Sequence, residues 1–133
     1  MTNEELINRA ESVLNRHMEG DRLFGDVGSA LESEKGNIYM GVCVDTPTWG
    51  LCAERSAIAA MVTAKEYKIK KIVAVWKDEK DGKLYVLPPC GTCREFIKRV
   101  NHANLETEVI LGKDGSTKLK ELLPYHGWPQ PLE

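Results

Sequence analysis

Apolar residues between Glu4 and Met18 recur at helical spacing, with Leu6, Ile7, Ala10, Val13, Leu14 and His17 near one face, and predict an amphipathic helix. The period then shortens. Asp26–Leu31 and Asn37–Val44 read as two strands, and Glu34-Lys35-Gly36-Asn37 between them carries hairpin turn chemistry. Pro47 and Gly50 interrupt regular structure and mark 45–50 as a loop. From Cys52 onward, Ala53, Ala57, Ile58, Ala60, Met61 and Ala64 predict a helix whose middle is almost wholly apolar, and therefore buried. Ile69–Trp76 is a β-branched strand, 77–83 a polar turn, and Leu84–Leu87 a short strand. A further helix is expected from Gly91 through Phe96, Ile97 and Val100. Glu106–Leu111 reads as a strand, 112–115 as a turn, and Leu119–Leu123 as a short helix or turn.

This alternation of strands and helices argues for a layered α/β domain around one mixed sheet. A chain of 133 residues is long enough for one self-sufficient core, so one domain is expected over 1–133, with 124–133 as a tail rich in proline and aromatics. A formal charge of −2 gives no general attraction to a nucleic-acid backbone, and Lys65–Lys71 reads as a solvated helix end and loop. The first residues show no basic region followed by an apolar run, so no signal peptide is expected. No stretch is apolar for long enough to span a bilayer. The clustering of the four cysteines without secretion signals favours reduced thiols and a cytoplasmic setting.

The chemistry concentrates in two short segments, Cys52-Ala53-Glu54-Arg55 and Pro88-Pro89-Cys90-Gly91-Thr92-Cys93. Cysteines two residues apart can converge on one tetrahedral metal, and Cys52 is the best candidate for a third ligand. Thiolates are soft donors that suit zinc. Three sulfurs are one short of a closed structural site, which leaves a position for water. Glu54, two residues from a ligand, is placed to handle that water's protons. Cys52 and Cys90 both fall at predicted helix starts, where free N–H groups favour thiolate over thiol. Arg55 or Arg94 could hydrogen-bond ligand sulfurs and offset their charge. A closed four-cysteine site through Cys43 is the structural alternative, but Cys43 lies in an alternating strand where a free thiol is commonly a small apolar residue. A redox Cys-x-x-Cys explains neither Cys52 nor Glu54. His17 reads as a surface or boundary residue rather than a ligand.

Cys52-Ala53-Glu54-Arg55-Ser56-Ala57-Ile58, Pro89-Cys90-Gly91-Thr92-Cys93-Arg94-Glu95 and Glu121-Leu122-Leu123-Pro124 together resemble the zinc-dependent cytidine deaminase family, which includes the small three-cysteine cytidine deaminases and the blasticidin-S deaminases. The resemblance extends from about Val27 to Trp128. It implies a three-layer α/β/α domain with a mixed five-stranded sheet, and a homo-oligomer, usually a tetramer. It implies one Zn2+ per subunit on Cys52, Cys90 and Cys93. Glu54 would carry protons between water, N3 of the pyrimidine and the leaving amine, in a hydrolase of pyrimidine salvage acting on a small nucleoside rather than a polynucleotide or membrane. By analogy, the Ala53 N–H would bind the ring's 2-carbonyl oxygen. Tyr125 and Trp128 could complete a neighbouring subunit's pocket, with local tail packing as the alternative.

The pattern bends around the substrate. The family's Asn-x-Glu on the strand before the first zinc motif, which holds a ribose hydroxyl, falls on Cys43 and Asp45. A thiol cannot supply an amide's paired donor and acceptor, and a missing partner in a closed site costs about 1–3 kcal/mol. The segment that follows becomes Thr46-Pro47-Thr48-Trp49-Gly50, placing Trp49 near the pocket. The usual phenylalanine before Val-Gly is displaced, with Gly25 in its place and Phe24 beside it. The expectation is therefore a deaminase of cytidine, deoxycytidine or a related aminopyrimidine nucleoside, with a blasticidin-S or modified-cytidine substrate as the alternative. A zinc-stabilised interaction module is the non-enzymatic alternative.

Overall fold

The computed structural model describes residues 1–133. Helix α1 (Asn3–Ser12) opens on a capping box, in which the Thr2 side chain accepts from the Glu5 N–H at 3.1 Å and Glu5 Oε2 accepts from the Thr2 N–H at 2.7 Å. The expected continuation to Met18 does not occur. The Asn15 N–H bonds instead to the Gly25 carbonyl at 2.9 Å, and His17–Glu19 form strand β1, so pairing with the sheet overrides the helical period. His17 is exposed and pairs with Glu19 at 2.8 Å.

The remaining strands are β2 (Arg22–Ser33), β3 (Ile38–Val44), β4 (Ile69–Lys77), β5 (Leu84–Leu87), β6 (Glu108–Ile110) and β7 (Ser116–Lys118). Seven strands form the sheet, against the five expected. The two additional strands are β1, in a segment expected as helix, and β7, in a segment assigned no element. Phe24 pairs with Val44 of β3 and with His17 of β1, so β1 continues the edge that β4 takes from Val27 onward. Along β4, residues 71 and 72 pair with β6 while 74–77 pair with β5. The β4–β6 pair is parallel and all others are antiparallel, which makes the sheet mixed as expected.

Strand alternation sends adjacent residues to opposite faces. Ala30, Val73 and Ile110 meet Leu6, Ile7 and Ala10 of α1. Leu31, Ile72 and Val109 meet Ala57, Ile58 and Met61 of α2 (Ala53–Thr63) and Ile97 of α3 (Gly91–Val100). The result is three layers, α/β/α. A short helix α4 (Leu119–Leu122) closes the second face through the fully buried Leu119.

Helix α2 lies very close to β3. A Cβ at Gly41 would sit 2.5 Å from the Ala57 nitrogen, so only glycine admits this approach. The α3 side is fixed by Asn104, whose Oδ1 accepts from the Ile69 N–H at 2.8 Å. Its Nδ2 donates to the carbonyls of Tyr67 and Ile97 at 3.0 and 3.1 Å. These two anchorages set the positions of the helix starts that carry the cysteines.

Candidate active site

Cys52 and Cys90 are the N-cap residues of α2 and α3. Both have extended backbone, and their carbonyls accept the first helical bonds from Ser56 and Arg94, each at 3.0 Å. Cys93 follows in the first turn of α3 and is fully buried. The three Sγ atoms all lie within 4.8 Å of one another. Cys52 and Cys90 are 3.9 Å apart, too wide for a disulfide. A tetrahedral zinc with Zn–S bonds of 2.3 Å has a sulfur–sulfur edge of about 3.8 Å, so the spacing suits that ion. No fourth His, Cys, Asp or Glu joins the group. Cys43 stands apart, its thiol donating to Asp26 Oδ1 at 2.9 Å, so the closed four-cysteine alternative fails.

The donors' electrostatics call for a cation. Burial pushes the Cys93 thiol far up, and the charges of Glu54 and Cys52 push it further. Burial also raises Cys90, but the N–H groups of Cys93 and Thr92 and the neighbouring thiols outweigh it, leaving Cys90 below its ordinary value. Sulfurs this close repel as anions, and a divalent ion reverses that balance. Cys90 is exposed, which opens the cluster to solvent on one side.

Glu54 is buried, in a crevice with Leu87, Pro89 and Ile72–Ala74 of β4. Burial raises its carboxyl above the ordinary value, opposed by its own N–H and by Arg55. Its charge also raises the Cys93 thiol, and it stands two residues after Cys52 in the first turn of α2. Ala53 is also buried, and its N–H belongs to the first turn, where helices leave donors free.

The two arginines part company. Arg55 Nη2 donates to the Gly50 carbonyl at 3.2 Å and to Cys52 Sγ at 3.7 Å. That sulfur is the main reason its guanidinium holds its proton more firmly than usual. Arg94 makes no bond to sulfur. It donates to the carbonyls of Pro89 at 2.8 Å and Leu122 at 3.1 Å, and so ties the loop before Cys90 to the end of α4. Of the two arginines expected as alternatives, Arg55 reaches a sulfur and Arg94 does not.

Beside Cys52 and Arg55 lies a groove of about 360 Å3. Cys43, Asp45 and Trp49 line it, as does Asp26, which the alternating pattern of β2 did not single out. The one signal for Asp26 was a charge in the otherwise uncharged segment expected as a strand over 26–31. Phe24 is half-buried on β2 and does not line the groove. Tyr125 and Trp128 project into solvent, neither packing locally nor reaching the groove of their own chain. The tail is nevertheless held, because the buried Lys98 donates to the His126 carbonyl at 2.8 Å.

Residues 1–108 match the sequence profile of the cytidine and deoxycytidylate deaminase zinc-binding region. The chain belongs to this family. Among curated relatives, a probable cytidine deaminase of Dictyostelium discoideum is 40% identical over 72 residues, covering 53% of this chain and 46% of that protein. The match thus spans about half the length of that relative. Blasticidin-S deaminase of Bacillus cereus is 32% identical over 103 residues, 74% of each chain. The crystal structure of cytidine deaminase from Mycobacterium leprae superposes with a TM-score of 0.74 at 25% identity, covering 93% of this chain and 99% of that one. The cysteine cluster and the family together fit one Zn2+ per subunit.

Proposed function

We propose that the chain is a zinc-dependent hydrolytic deaminase of cytidine, deoxycytidine or a related aminopyrimidine nucleoside, releasing ammonia and a uracil-type product. The observation that carries this is a buried Glu54 in the first turn of α2, two residues after Cys52 of a three-sulfur cluster that no fourth protein ligand closes. When bound, zinc supplies Lewis acidity that lowers the pKa of water. Glu54 takes one proton from water and delivers it to N3 of the ring. It then takes the second from the hydroxyl added at C4 and delivers it to the leaving amine, so that ammonia departs as the C4 carbonyl forms. A carboxyl whose burial favours its protonated form is suited to holding each proton between its uptake and its delivery. Arg55 draws charge from the Cys52 sulfur, which otherwise blunts the ion's acidity. The Ala53 N–H serves as donor to the 2-carbonyl oxygen.

Cys43 and Asp45 in the groove favour a second reading, a blasticidin-S-type or modified-cytidine substrate, and the Bacillus cereus relative points the same way. An interaction module held together by zinc is disfavoured, because it calls for a fourth ligand. A homotetramer is proposed on the exposure of Trp49, Tyr125 and Trp128, which a neighbouring copy would cover. Sedimentation of the zinc-loaded protein tests it. No helix is long and apolar enough to cross a membrane. A cytoplasmic place in pyrimidine salvage is proposed on the unpaired thiols and the proposed reaction. Ammonia release by zinc-loaded protein from cytidine, deoxycytidine, blasticidin S and free cytosine tests the assignment. Turnover of none of them would sink it.

A further inference from the structure

Between Phe24 and Gly28 the pairing of β2 with β3 slips, so that four steps along β2 (24 to 28) match two along β3 (44 to 42). The bulge is tightly made. Gly25 has φ +73°, and a Cβ there would lie 2.3 Å from the Asn15 carbonyl oxygen, so no other residue fits. One consequence is that Asp26 leaves the regular alternation and meets Cys43 across the strands. The Cys43 thiol donates to Oδ1 at 2.9 Å, which fixes the carboxylate and leaves its remaining lone pairs free. Asp26, Cys43 and Asp45 line the groove that also contains Cys52. Arg55 is the one cation among its lining residues, and it is already held by the Gly50 carbonyl and the Cys52 sulfur.

We infer that Asp26 is a specificity-determining residue, accepting a hydrogen bond from a donor on the substituent at N1 of the pyrimidine and, with Asp45, disfavouring a phosphate there. This rests on the deaminase assignment proposed above. The carboxylate that position 45 supplies only in shortened form is provided by the neighbouring strand, through the bulge. Two anions with no free cation between them repel a phosphate that enters the groove. A hydroxyl or an ammonium satisfies Asp26, since both are donors.

The test compares zinc-loaded wild-type protein with Asp26→Asn and Asp26→Ala, after thermal melts confirm that each variant folds. The asparagine keeps the size and still accepts from the Cys43 thiol. KM and kcat are measured separately for cytidine, 2′,3′-dideoxycytidine, 1-methylcytosine, blasticidin S and deoxycytidine 5′-monophosphate. Calorimetric binding of uridine provides a readout that does not need turnover. Losing a hydrogen bond to a charged acceptor weakens binding by roughly tenfold or more. We therefore expect KM for the donor-bearing substrate to rise by about that factor in Asp26→Asn, with kcat within about twofold and 1-methylcytosine unaffected. Uridine binding weakens in parallel, and the preference for deoxycytidine over its monophosphate narrows. A loss confined to cytidine identifies a sugar hydroxyl as the donor, and a loss confined to blasticidin S identifies a cationic group. If wild type is active and both variants match it on every compound, or lose all compounds equally, the inference is overturned while the deaminase assignment stands. Wild type that neither binds nor turns over any of them overturns both.

Discussion

The sulfurs of Cys52 and Cys90 lie 3.9 Å apart although 38 residues separate them in the chain. Each caps a different helix, and both helices pack on the same face of the sheet. The turns that open the two helices therefore deliver two thiols to one point. Cys93 completes the cluster from within the first turn of α3.

Arg55 and Arg94 sit symmetrically in the two cysteine motifs, but substitution separates them. Arg55→Ala removes the donor to the Cys52 sulfur and should weaken zinc affinity by about 10–100-fold with little change in fold. Competition with a graded series of chelators reads this. Arg94→Ala loses two bonds to carbonyls and should cost about 1–3 kcal/mol of stability, read by urea unfolding of the zinc-loaded protein. If the two variants exchanged phenotypes, the assignment of their roles would be wrong.

Asn104 is buried with three of its hydrogen bonds made to backbone groups of three different segments. Asn104→Ala leaves those groups without partners in the interior. The expected loss is about 2–4 kcal/mol. Denaturant unfolding measures it, and a loss below about 1 kcal/mol would show that water replaces the amide.

Hydrogen bonds from the Tyr39 hydroxyl, then Ser33 and Asn37, hold the Glu66 carboxyl below its ordinary value of 4.5. A carboxyl harder to protonate in the folded chain than in the unfolded one adds stability above that ordinary value, and the stability is lost as pH falls through the lower folded value. Wild-type protein should therefore lose melting temperature more steeply than Glu66→Gln as pH drops below about 4.5. Parallel acid limbs in melts of the two proteins would contradict it.

Features set by local chemistry or by a sustained period were legible in the sequence. The cysteine spacing, the buried α2 and the β-branched β4 depend on residues near one another in the chain. Features set by distant partners were not. The helical stripe through Val13 and Leu14 gives no sign that Asn15 will pair with Gly25, so α1 was drawn too long. Ser116–Lys118 is polar and short, and becomes strand β7 only because β6 offers it an edge. Asp26 entered the groove through a bulge, which shifts register without changing composition. Arg94 could not be told from Arg55 because its direction is fixed by Leu122, 28 residues on. Fold class followed from the order of elements, and the strand count fell short by β1 and β7, short segments that become strands only through their partners β2 and β6.

The most direct test of the account is ammonia release from cytidine by Glu54→Gln, measured beside wild type on protein of known zinc content. Glutamine keeps the side chain's size but cannot carry a proton between water and the ring. The variant should hold one zinc per chain, melt no lower than wild type, and lose turnover by at least about 100-fold. A zinc-loaded Glu54→Gln protein that deaminates at the wild-type rate would contradict the account at its centre.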